Sequence, residues 1–506
     1  MSTNRRDFIK FVVAGSIAAG CPVDLALLSA ETAPPAVDGE DNRICHEVRD
    51  GKSFTLPPSS AKHDVVIVGG GVSGLSSAYF MRQRDFLLLE KEPHWGGNAY
   101  LMEYDGQPYA TGAAFMARSE STVFPFVREI GIEPLPISNR DATILNGELI
   151  ADTWVEGIDK LPYSASVRES FKKCKKDMFS IDLQKRAREL AGTRFSDLLK
   201  PYGKEVKQWW DTFGPSNWGA VSEDTSALVA IENFQGMAAD QVPDTCTWPG
   251  GLGAITRRLA EILQPRYGER MHTSATTIAV TPGKSDVQVT YMHEGQLKTV
   301  TAKVVIMATP KFITRRIVQG LPQAQSEAMH KIRYIPYPVV NLIFDKAVYN
   351  GAYDTWCPGN TFTDFIVADW VVRNQPGYKQ KHNILTFYTP MKEEDRGYLL
   401  AESSTRKIAA NVLQDFQKLF PGSNVDPVEV HIYRRGHPLY MSTPGLFTEV
   451  QPLVRQSMDR IFFANTDAEG PESTTNGGIK AARRATKEAE ARLAGKPMTK
   501  QAAMVG

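Results

Sequence analysis

The stretch His63-Asp64-Val65-Val66-Ile67-Val68-Gly69-Gly70-Gly71-Val72-Ser73-Gly74 decides the fold of this chain. Its four consecutive β-branched residues suit a strand that is buried on both faces of a sheet. Gly69 allows a tight turn out of that strand, Gly71 lets a phosphate group approach the backbone, and Gly74 lets a following helix pack closely. The residues after the turn carry apolar side chains at helical spacing. We therefore predict the first strand, turn and helix of a dinucleotide-binding βαβ unit.

The residues that follow support this prediction. Phe86–Leu89 form a second apolar run that ends in Glu90, about twenty residues after the glycine turn. A carboxylate in that place accepts hydrogen bonds from ribose hydroxyls and repels a 2′-phosphate, so NADP is disfavoured. The helix N-terminus at Val72 and Ser73 offers unpaired N–H groups to phosphates. A strand, helix and acid in the right order make the glycine pattern specific.

The segment after Glu90 indicates which dinucleotide is bound. Lys91-Glu92-Pro93-His94-Trp95-Gly96-Gly97-Asn98 resembles the extended FAD signature of the flavin-containing amine oxidase superfamily. That superfamily includes monoamine and polyamine oxidases, L-amino-acid oxidases, protoporphyrinogen oxidase and phytoene desaturases. The resemblance implies that FAD is the cofactor and that Lys91, Gly97 and Asn98 lie beside it. Asn98 stands where the family usually has Arg, so a charge is lost but a hydrogen-bonding side chain remains.

Further segments carry the same resemblance. Tyr109–Phe115 resembles the family's glycine-rich loop, which implies that Gly112 and Ala113 lie beside the flavin. Two other matches are Trp248–Ile255, which resembles a helix start, and Val304–Pro310, which resembles a strand end.

The C-terminal part resembles the family in two motifs. Arg460–Asp467 is similar to a strand and turn whose acid holds the cofactor, which implies that role for Asp467. Thr475–Ile479 is similar to the start of a helix whose N–H groups face the flavin, and this implies contacts from Gly478 and Ile479. Asn465 and Thr466 precede the acid where the family has a single Gly.

These matches predict an α/β fold, with a Rossmann-like FAD-binding domain and an inserted α+β substrate domain. The predicted ranges are 63–115, 245–320 and 455–495 for the FAD-binding domain, 116–244 and 321–454 for the substrate domain, and 31–62 for a linker. Individual strands are predicted at 287–291, 304–308, 338–344, 383–388 and 428–433, and a helix at 478–493.

The first thirty residues predict an export signal. Arg5-Arg6 followed by Phe8-Ile9-Lys10 and a short apolar run resembles a bacterial twin-arginine (Tat) signal. The Tat machinery is then a partner, and the protein is periplasmic or attached to the cell envelope. Ala18-Ala19-Gly20-Cys21 leaves two alternatives open: lipidation and membrane tethering at Cys21, or ordinary cleavage near residues 29–31.

Composition excludes several classes of protein. The 506 residues are 42% hydrophobic and 23% charged, which is typical of a folded soluble protein and not of a disordered, fibrous or multi-span membrane chain. A net charge of +1 gives no reason to expect a nucleic acid partner. The five cysteines form no C-x-x-C pair, and no His/Cys cluster has zinc spacing, so no metal is predicted.

The substrate region is less informative, and no catalytic residue is assigned from it. Many amine oxidases of the family have a Lys where this chain has Tyr337–Leu342, and an aromatic residue where it has Thr474 and Thr475. Aromatic and acidic candidates for the pocket are Trp209-Trp210-Asp211, Trp218, Asp364-Phe365, Asp369-Trp370 and His437–Tyr440. We predict an exported FAD-dependent oxidoreductase that oxidises a small organic molecule, with an amine as one candidate substrate. The alternatives are a desaturase or dehydrogenase that passes electrons to a membrane acceptor, and a non-catalytic FAD-binding maturation factor.

Overall fold

A computed structural model describes residues 34–117, 123–137, 141–237, 245–421, 426–470 and 474–496. The predicted export signal and Cys21 lie outside these ranges. None of the helices within them is both long enough and apolar enough to cross a membrane.

The described chain contains both strands and helices. The strands are β1 Ala36–Gly39, β2 Ser59–Val68, β3 Phe86–Leu89, β4 Leu101–Tyr104, β5 Gln107–Ala110, β6 Met116–Ala117, β7 Leu135–Pro136, β8 Ala142–Leu145, β9 Glu148–Ala151, β10 Thr245–Thr247, β11 Met271–His272, β12 Ala275–Pro282, β13 Val287–His293, β14 Gln296–Met307, β15 Tyr334–Ile335, β16 Val339–Phe344, β17 Asp354–Trp356, β18 Asp364–Val367, β19 Asn383–Tyr388, β20 Glu429–Arg434, β21 Leu439–Tyr440 and β22 Ile461–Phe463. The helices are α1 Arg43–Arg49, α2 Val72–Phe80, α3 Phe124–Glu129, α4 Ala165–Phe179, α5 Leu183–Gly192, α6 Phe195–Leu199, α7 Lys204–Trp218, α8 Ala227–Met237, α9 Gly253–Tyr267, α10 Lys311–Ile317, α11 Gln323–Lys331, α12 Glu402–Leu419, α13 Gln451–Val454 and α14 Thr475–Leu493. The strands predicted between 287 and 433 and the C-terminal helix are confirmed, with ends that shift by a few residues.

The first large sheet builds the dinucleotide-binding domain. Its strands lie in the order β11-β3-β2-β14-β13-β12, and β22 also pairs with β14. β2 runs parallel to β3 and to β14, with Val65 opposite Phe86 and Val304. All four residues of β3 and the last four of β2 are buried, because helices pack on both faces. This arrangement confirms the predicted α/β class.

The second large sheet belongs to the substrate region, with strand order β1-β20-β16-β19-β18-β17-β8-β9. One face packs against α12, where Val340, Leu342 and Phe387 meet Val412 and Phe416 in one hydrophobic cluster. The opposite face is turned toward the dinucleotide-binding domain. Helices α4 to α8 contribute aromatic side chains to a hydrophobic cluster that also includes residues of the dinucleotide-binding sheet.

The segment predicted as a linker is largely ordered. β1 pairs in parallel with β20, with Ala36 opposite His431, and thereby extends the substrate sheet. The backbone N–H of Asp41 then donates to the Glu92 carboxylate of the dinucleotide-binding domain. Residues 36–49 therefore form a strap between the two sheets, since a parallel edge position was open to them. The other domain boundaries stay predictions.

Candidate active site

The glycine turn has the geometry that the sequence predicts. Gly69 has a φ of +107°, a conformation that favours glycine. A Cβ on Gly74 would lie 1.6 Å from the Gly69 carbonyl oxygen, so only glycine allows α2 to begin this close to β2. Gly71 has an extended backbone, and α2 starts directly after it at Val72. The first N–H groups of α2 consequently point away from the helix, as a phosphate site requires.

Glu90 lies at the end of β3 beside this turn. It is 7% exposed, and its carboxylate accepts hydrogen bonds from the N–H groups of Gly70 at 2.5 Å and Glu92 at 2.8 Å. Burial raises the pKa of Glu90, although Lys91 and the two N–H donors oppose that shift. The backbone thus fixes the carboxylate at the place predicted for ribose recognition.

Lys91 is held by neighbouring acids. Its ammonium pairs with Glu92. Burial lowers the pKa of Lys91, but the carboxylates of Glu40, Glu92 and Glu90 reverse this, and the pKa lies above its ordinary value. Lys91 therefore balances charge beneath the site, and its direct contact with the cofactor stays a prediction.

The second glycine pair packs on the first. The N–H of Gly96 donates to the Gly70 carbonyl at 3.0 Å, and a Cβ on Gly97 would lie 3.1 Å from the Cα of Gly71. Next along the chain, the Asn98 side chain donates to the Pro438 carbonyl at 2.8 Å. Asn98 therefore links the FAD-binding loop to the substrate region.

The loop at 110–115 packs against the same place. The Asn98 carbonyl accepts a hydrogen bond from the Ala113 N–H at 3.1 Å, and a Cβ on Gly112 would lie 2.3 Å from that carbonyl oxygen. The predicted site residues Asn98, Gly112 and Ala113 are thus brought together.

The C-terminal helix α14 begins beside the glycine turn. A Cβ on Gly478 would meet Val72 Cγ1 at 2.7 Å and Ser73 Oγ at 3.0 Å, so the N-termini of α14 and α2 lie side by side. Ile479 is buried in the adjoining core. The Oδ1 atom of Asn476, at the start of α14, is buried without a hydrogen-bond partner among the described residues. Two helix N-termini therefore lie next to each other, which fits an anionic dinucleotide.

The carboxylate of Asp467 is bound by donors of the protein itself. Its buried carboxylate accepts hydrogen bonds from the Lys311 ammonium at 2.6 Å, the Tyr334 hydroxyl at 2.6 Å and the Lys311 backbone N–H at 2.7 Å. Protein donors thus already occupy both of its oxygens. The preceding residue, Thr466, lies beside the start of α14: a Cβ on Gly478 would be 3.3 Å from Cγ2 of Thr466. A contact between Asp467 and the cofactor stays a prediction.

Comparison with known proteins agrees with this geometry. Residues 72–489 match the family described as flavin containing amine oxidoreductase. The chain belongs to this family. Oxidoreductase PigB from Serratia sp. (strain ATCC 39006) is 23% identical to it, over 85% of this chain and 77% of PigB. An L-amino-acid oxidase from Pseudechis australis is 24% identical, over 85% of this chain and 87% of the oxidase. The solved structure of cyclohexylamine oxidase from Brevibacterium oxydans IH-35A has the same fold, with a TM-score of 0.66 and 17% identity over 86% of this chain and 99% of that one.

This flavin amine oxidoreductase is an FAD-dependent enzyme, and its Rossmann-like fold is the one predicted. The residues present fit FAD. Backbone groups at Gly71 to Ser73 and the start of α14 would hold the pyrophosphate, and Glu90 would hold the ribose.

Beside the loop at 110–115, one face of the substrate sheet carries a row of side chains. Cross-strand pairing places Asp364 opposite Tyr388, Tyr388 opposite Val339, and Val339 opposite Tyr433, so these four share one face. The Tyr388 hydroxyl donates to the Gly112 carbonyl at 2.8 Å. This row therefore borders the space where the resemblance places the flavin.

Aromatic groups enclose the same space. Phe115 and Tyr353 meet edge to face at 6.0 Å, and the Tyr337 hydroxyl lies 2.6 Å from Ser216 Oγ on α7. Burial raises the pKa of both Tyr337 and Tyr388 well above the ordinary value, so both are neutral hydroxyls. The side chains at this place are thus mostly apolar with a few fixed polar atoms, a composition that is common in small-molecule sites.

The pocket candidates from the sequence divide into two groups. Asp364 and the segment at His437 lie near the loop at 110–115. The other group, Trp209, Trp210 and Trp218, belongs to the hydrophobic cluster that helices α4 to α8 contribute to. Asp211 accepts hydrogen bonds from Ser222 and Lys207, and Asp369 pairs with Arg373 at 2.9 Å. Two of the acidic pocket candidates, Asp211 and Asp369, are therefore already paired with basic side chains of the protein.

Sequence reasoning missed Tyr388, Asp354 and Arg435. Tyr388 ends a predicted strand, and counting alternate residues from Ile384 would have placed it on one face. Asp354 begins a strand of three residues, which is too short for any periodicity to show. Arg435 is buried and donates to the carbonyl and hydroxyl oxygens of Thr111, a contact that joins segments more than 300 positions apart.

The carboxyl group of Asp364 predicts a pH-dependent stability. Burial raises its pKa from an ordinary value near 3.8 to about 7, so the folded state holds the proton more tightly than the unfolded state. Stability is therefore greatest at low pH on account of this group, and it falls as pH rises through about 7. The Asp364→Asn variant cannot ionise at this position. We expect its free energy of unfolding at pH 8 to exceed that of the wild type by roughly 2 kcal/mol, because one pKa unit corresponds to about 1.4 kcal/mol and the shift is shared with neighbouring groups.

Urea unfolding at pH 5 and pH 8 checks this. The difference between variant and wild type should grow with pH. Equal differences at both pH values would show that Asp364 does not titrate in this way.

Proposed function

We propose that this enzyme oxidises a small amine, transferring a hydride from the carbon that bears the nitrogen, and that it works outside the cytoplasm. FAD, when bound, supplies the hydride acceptor. The observation that carries the proposal is the row Asp364–Tyr388 beside the Gly112 loop, because it puts a carboxyl group and an aromatic hydroxyl next to the expected flavin. Relatives named as an L-amino-acid oxidase and a cyclohexylamine oxidase support an amine.

The pocket residues have separable tasks in this proposal. Tyr337, Tyr353 and Phe115 exclude water and contact the apolar part of the amine. Asp364 accepts the proton of the substrate ammonium, because its pKa of about 7 lets it exchange protons near neutral pH. Tyr388 positions the Gly112 loop through its hydrogen bond to the carbonyl. The amine is thereby held neutral at the reacting carbon.

Export rests on the N-terminal motif. The Tat route carries proteins that are already folded, and a cofactor enzyme assembled in the cytoplasm is a natural client. The paired arginines and the short apolar run support this route, and they make the protein periplasmic or attached to the cell envelope. Whether Cys21 carries a lipid decides between these two locations.

One experiment tests substrate and location together. The full chain is expressed in a bacterial host, purified from the periplasmic and envelope fractions, and its visible spectrum is recorded anaerobically before and after a panel of amines and amino acids. We expect oxidised-flavin bands that bleach with at least one amine. Flavin bands that bleach with no amine would contradict amine oxidation, and recovery only from the cytoplasm would contradict export.

A further inference from the structure

We propose that Arg435, directly after β20 in the substrate region, supplies the FAD site with a positive charge that the FAD-binding loop lacks at Asn98. Its guanidinium would contact an anionic group of the cofactor, so that two distant parts of the chain hold FAD together. This inference rests on the FAD dependence of the family and not on the proposed amine substrate. It assigns a cofactor-binding residue that lies outside the glycine turns.

Arg435 is a buried cation with spare hydrogen-bond donors. The residue is 5% exposed. Of the five guanidinium N–H groups, one donates to the Thr111 carbonyl and another to Thr111 Oγ1 at 3.0 Å. Among the described residues no other acceptor bonds to the guanidinium, so three N–H groups remain for a ligand. A buried charge is costly unless it is paired and hydrogen-bonded, and a bound anion would meet that need.

No acid of the described ranges pairs with this guanidinium. None of their carboxylates comes within the 4 Å of an ion pair with Arg435. Burial lowers the pKa of Arg435, and the more distant carboxylate of Glu40, on the strap, opposes this shift only in part. The group is charged all the same, because arginine does not lose its proton in proteins. Arg435 therefore has a positive charge to offer to a ligand.

Arg435 lies against the loop at 110–115 at the same point as Asn98. A Cβ on Gly112 would be 3.6 Å from Cζ of Arg435, and it would collide with the Asn98 carbonyl oxygen. The Asn98 side chain donates to the carbonyl of Pro438, three positions after Arg435. The segment that carries Arg435 is thus tied to the FAD-binding loop at two places.

Asn98 itself brings no charge to this place. It directly follows Gly97, which packs on Gly71 of the predicted pyrophosphate turn. An amide donates hydrogen bonds but carries no charge, whereas hydrogen bonds from a cation to an anion are roughly twice as strong as neutral ones. A guanidinium also matches two oxygen atoms of one anionic group. Arg435 reaches this place from the substrate region and can make the bond that Asn98 cannot.

The test measures how fast FAD leaves the purified holoenzyme. The holoenzyme is diluted into buffer without FAD, and the rise in flavin fluorescence gives the release rate. We expect Arg435→Gln to release FAD at least tenfold faster than the wild type. Arg435→Lys should lie between the two, because it keeps the charge but not the planar fork. The matched control is Arg333→Gln, which removes a guanidinium that is 46% exposed and already pairs with Glu393, and it should behave like the wild type.

Two further variants separate the charge from a purely structural role. Thr111→Val removes one acceptor of Arg435 but keeps the charge, so it should release FAD at close to the wild-type rate. Adding Asn98→Arg to Arg435→Gln returns a guanidinium from the other side of the contact, and we expect it to slow the release at least threefold. If Arg435→Gln folds poorly, the comparison of Arg435→Lys with Thr111→Val still decides between charge and structure.

The flavin reduction potential identifies which anionic group of FAD is bound. If Arg435 contacts the pyrophosphate, Arg435→Gln binds oxidised and reduced FAD more weakly by the same factor, and the potential equals that of the wild type. If Arg435 contacts the flavin ring, which carries a negative charge when reduced, the variant loses affinity for the reduced form. A tenfold larger loss for that form lowers the potential by about 30 mV.

Three results would overturn the inference. The first is release of FAD from Arg435→Gln at the wild-type rate. The second is an Arg435→Lys variant that loses FAD as fast as Arg435→Gln, since the charge would then be irrelevant. The third is a reduction potential of Arg435→Gln above that of the wild type, because removal of a positive charge cannot favour the more negative form of the cofactor.

Discussion

Lys311→Met is expected to lower the free energy of unfolding by about 3–5 kcal/mol, the cost of leaving one partner of a buried ion pair alone. Lys311 and Asp467 are both essentially inaccessible, with side chains 0% and 1% exposed, and their charged atoms are 2.6 Å apart. Burial lowers the pKa of Lys311, which Asp467 counteracts. The variant would leave the carboxylate with only the Tyr334 hydroxyl and one backbone N–H. Urea unfolding measures the loss.

A matched pair gives the control for this prediction. Lys303 also pairs with an aspartate, Asp64, at 2.7 Å, but its side chain is 66% exposed. Lys303→Met should therefore cost less than about 1 kcal/mol. The double variant Lys311→Met/Asp467→Leu should recover most of the lost stability, because no buried charge remains. Equal losses for Lys311→Met and Lys303→Met would show that burial does not govern this pair.

The second large effect is expected for Gly71→Ala. A side chain at this position would extend into the predicted pyrophosphate site and would not collide with atoms of the protein. A Cβ there would have no neighbour closer than 3.8 Å, and its extended backbone suits alanine. Gly71→Ala should therefore fold. Its methyl group would oppose the pyrophosphate, and overpacking of this kind costs about 1–3 kcal/mol. We expect FAD affinity to fall about a hundredfold, measured by the flavin content of purified protein and by titration with FAD.

Alanine variants of two other glycines serve as comparisons for Gly71→Ala. Gly192→Ala, at the exposed end of α5 with nothing within 4 Å, should bind FAD like wild type. Gly74→Ala should fail to fold, because its Cβ would collide with the Gly69 carbonyl. Full flavin occupancy in Gly71→Ala would contradict the assignment of this loop to the pyrophosphate.

The fold of the dinucleotide-binding domain could be predicted from the sequence because the signals for it are local. The strand, turn and helix from Asp64 to Phe80 and the acid at Glu90 follow one another within about thirty residues, and each glycine has a steric reason to be there. The second glycine pair contacts the first, and the 110–115 loop contacts Asn98; their contacts with FAD stay predictions.

The substrate pocket could not be predicted in the same way, since it depends on register between distant strands. Asp141, Asp354 and Asp364 are separated by up to about 220 positions, and only the pairing of β8, β17 and β18 puts them on one face. The partner of Asp467 could not be predicted either, because Lys311 is 156 positions away in the sequence and only the fold brings the two side chains together.

The pairing of β2 with β14 has a consequence for how the enzyme is made. Val65 lies against Val304, about 240 residues further along the chain, so the central strand has no neighbour on that side until most of the protein has left the ribosome. Closing so long a loop is slow. An N-terminal fragment that ends before β14 should therefore expose the apolar edge of β2 and need protection by chaperones, and FAD should be captured only after synthesis of the chain is nearly complete.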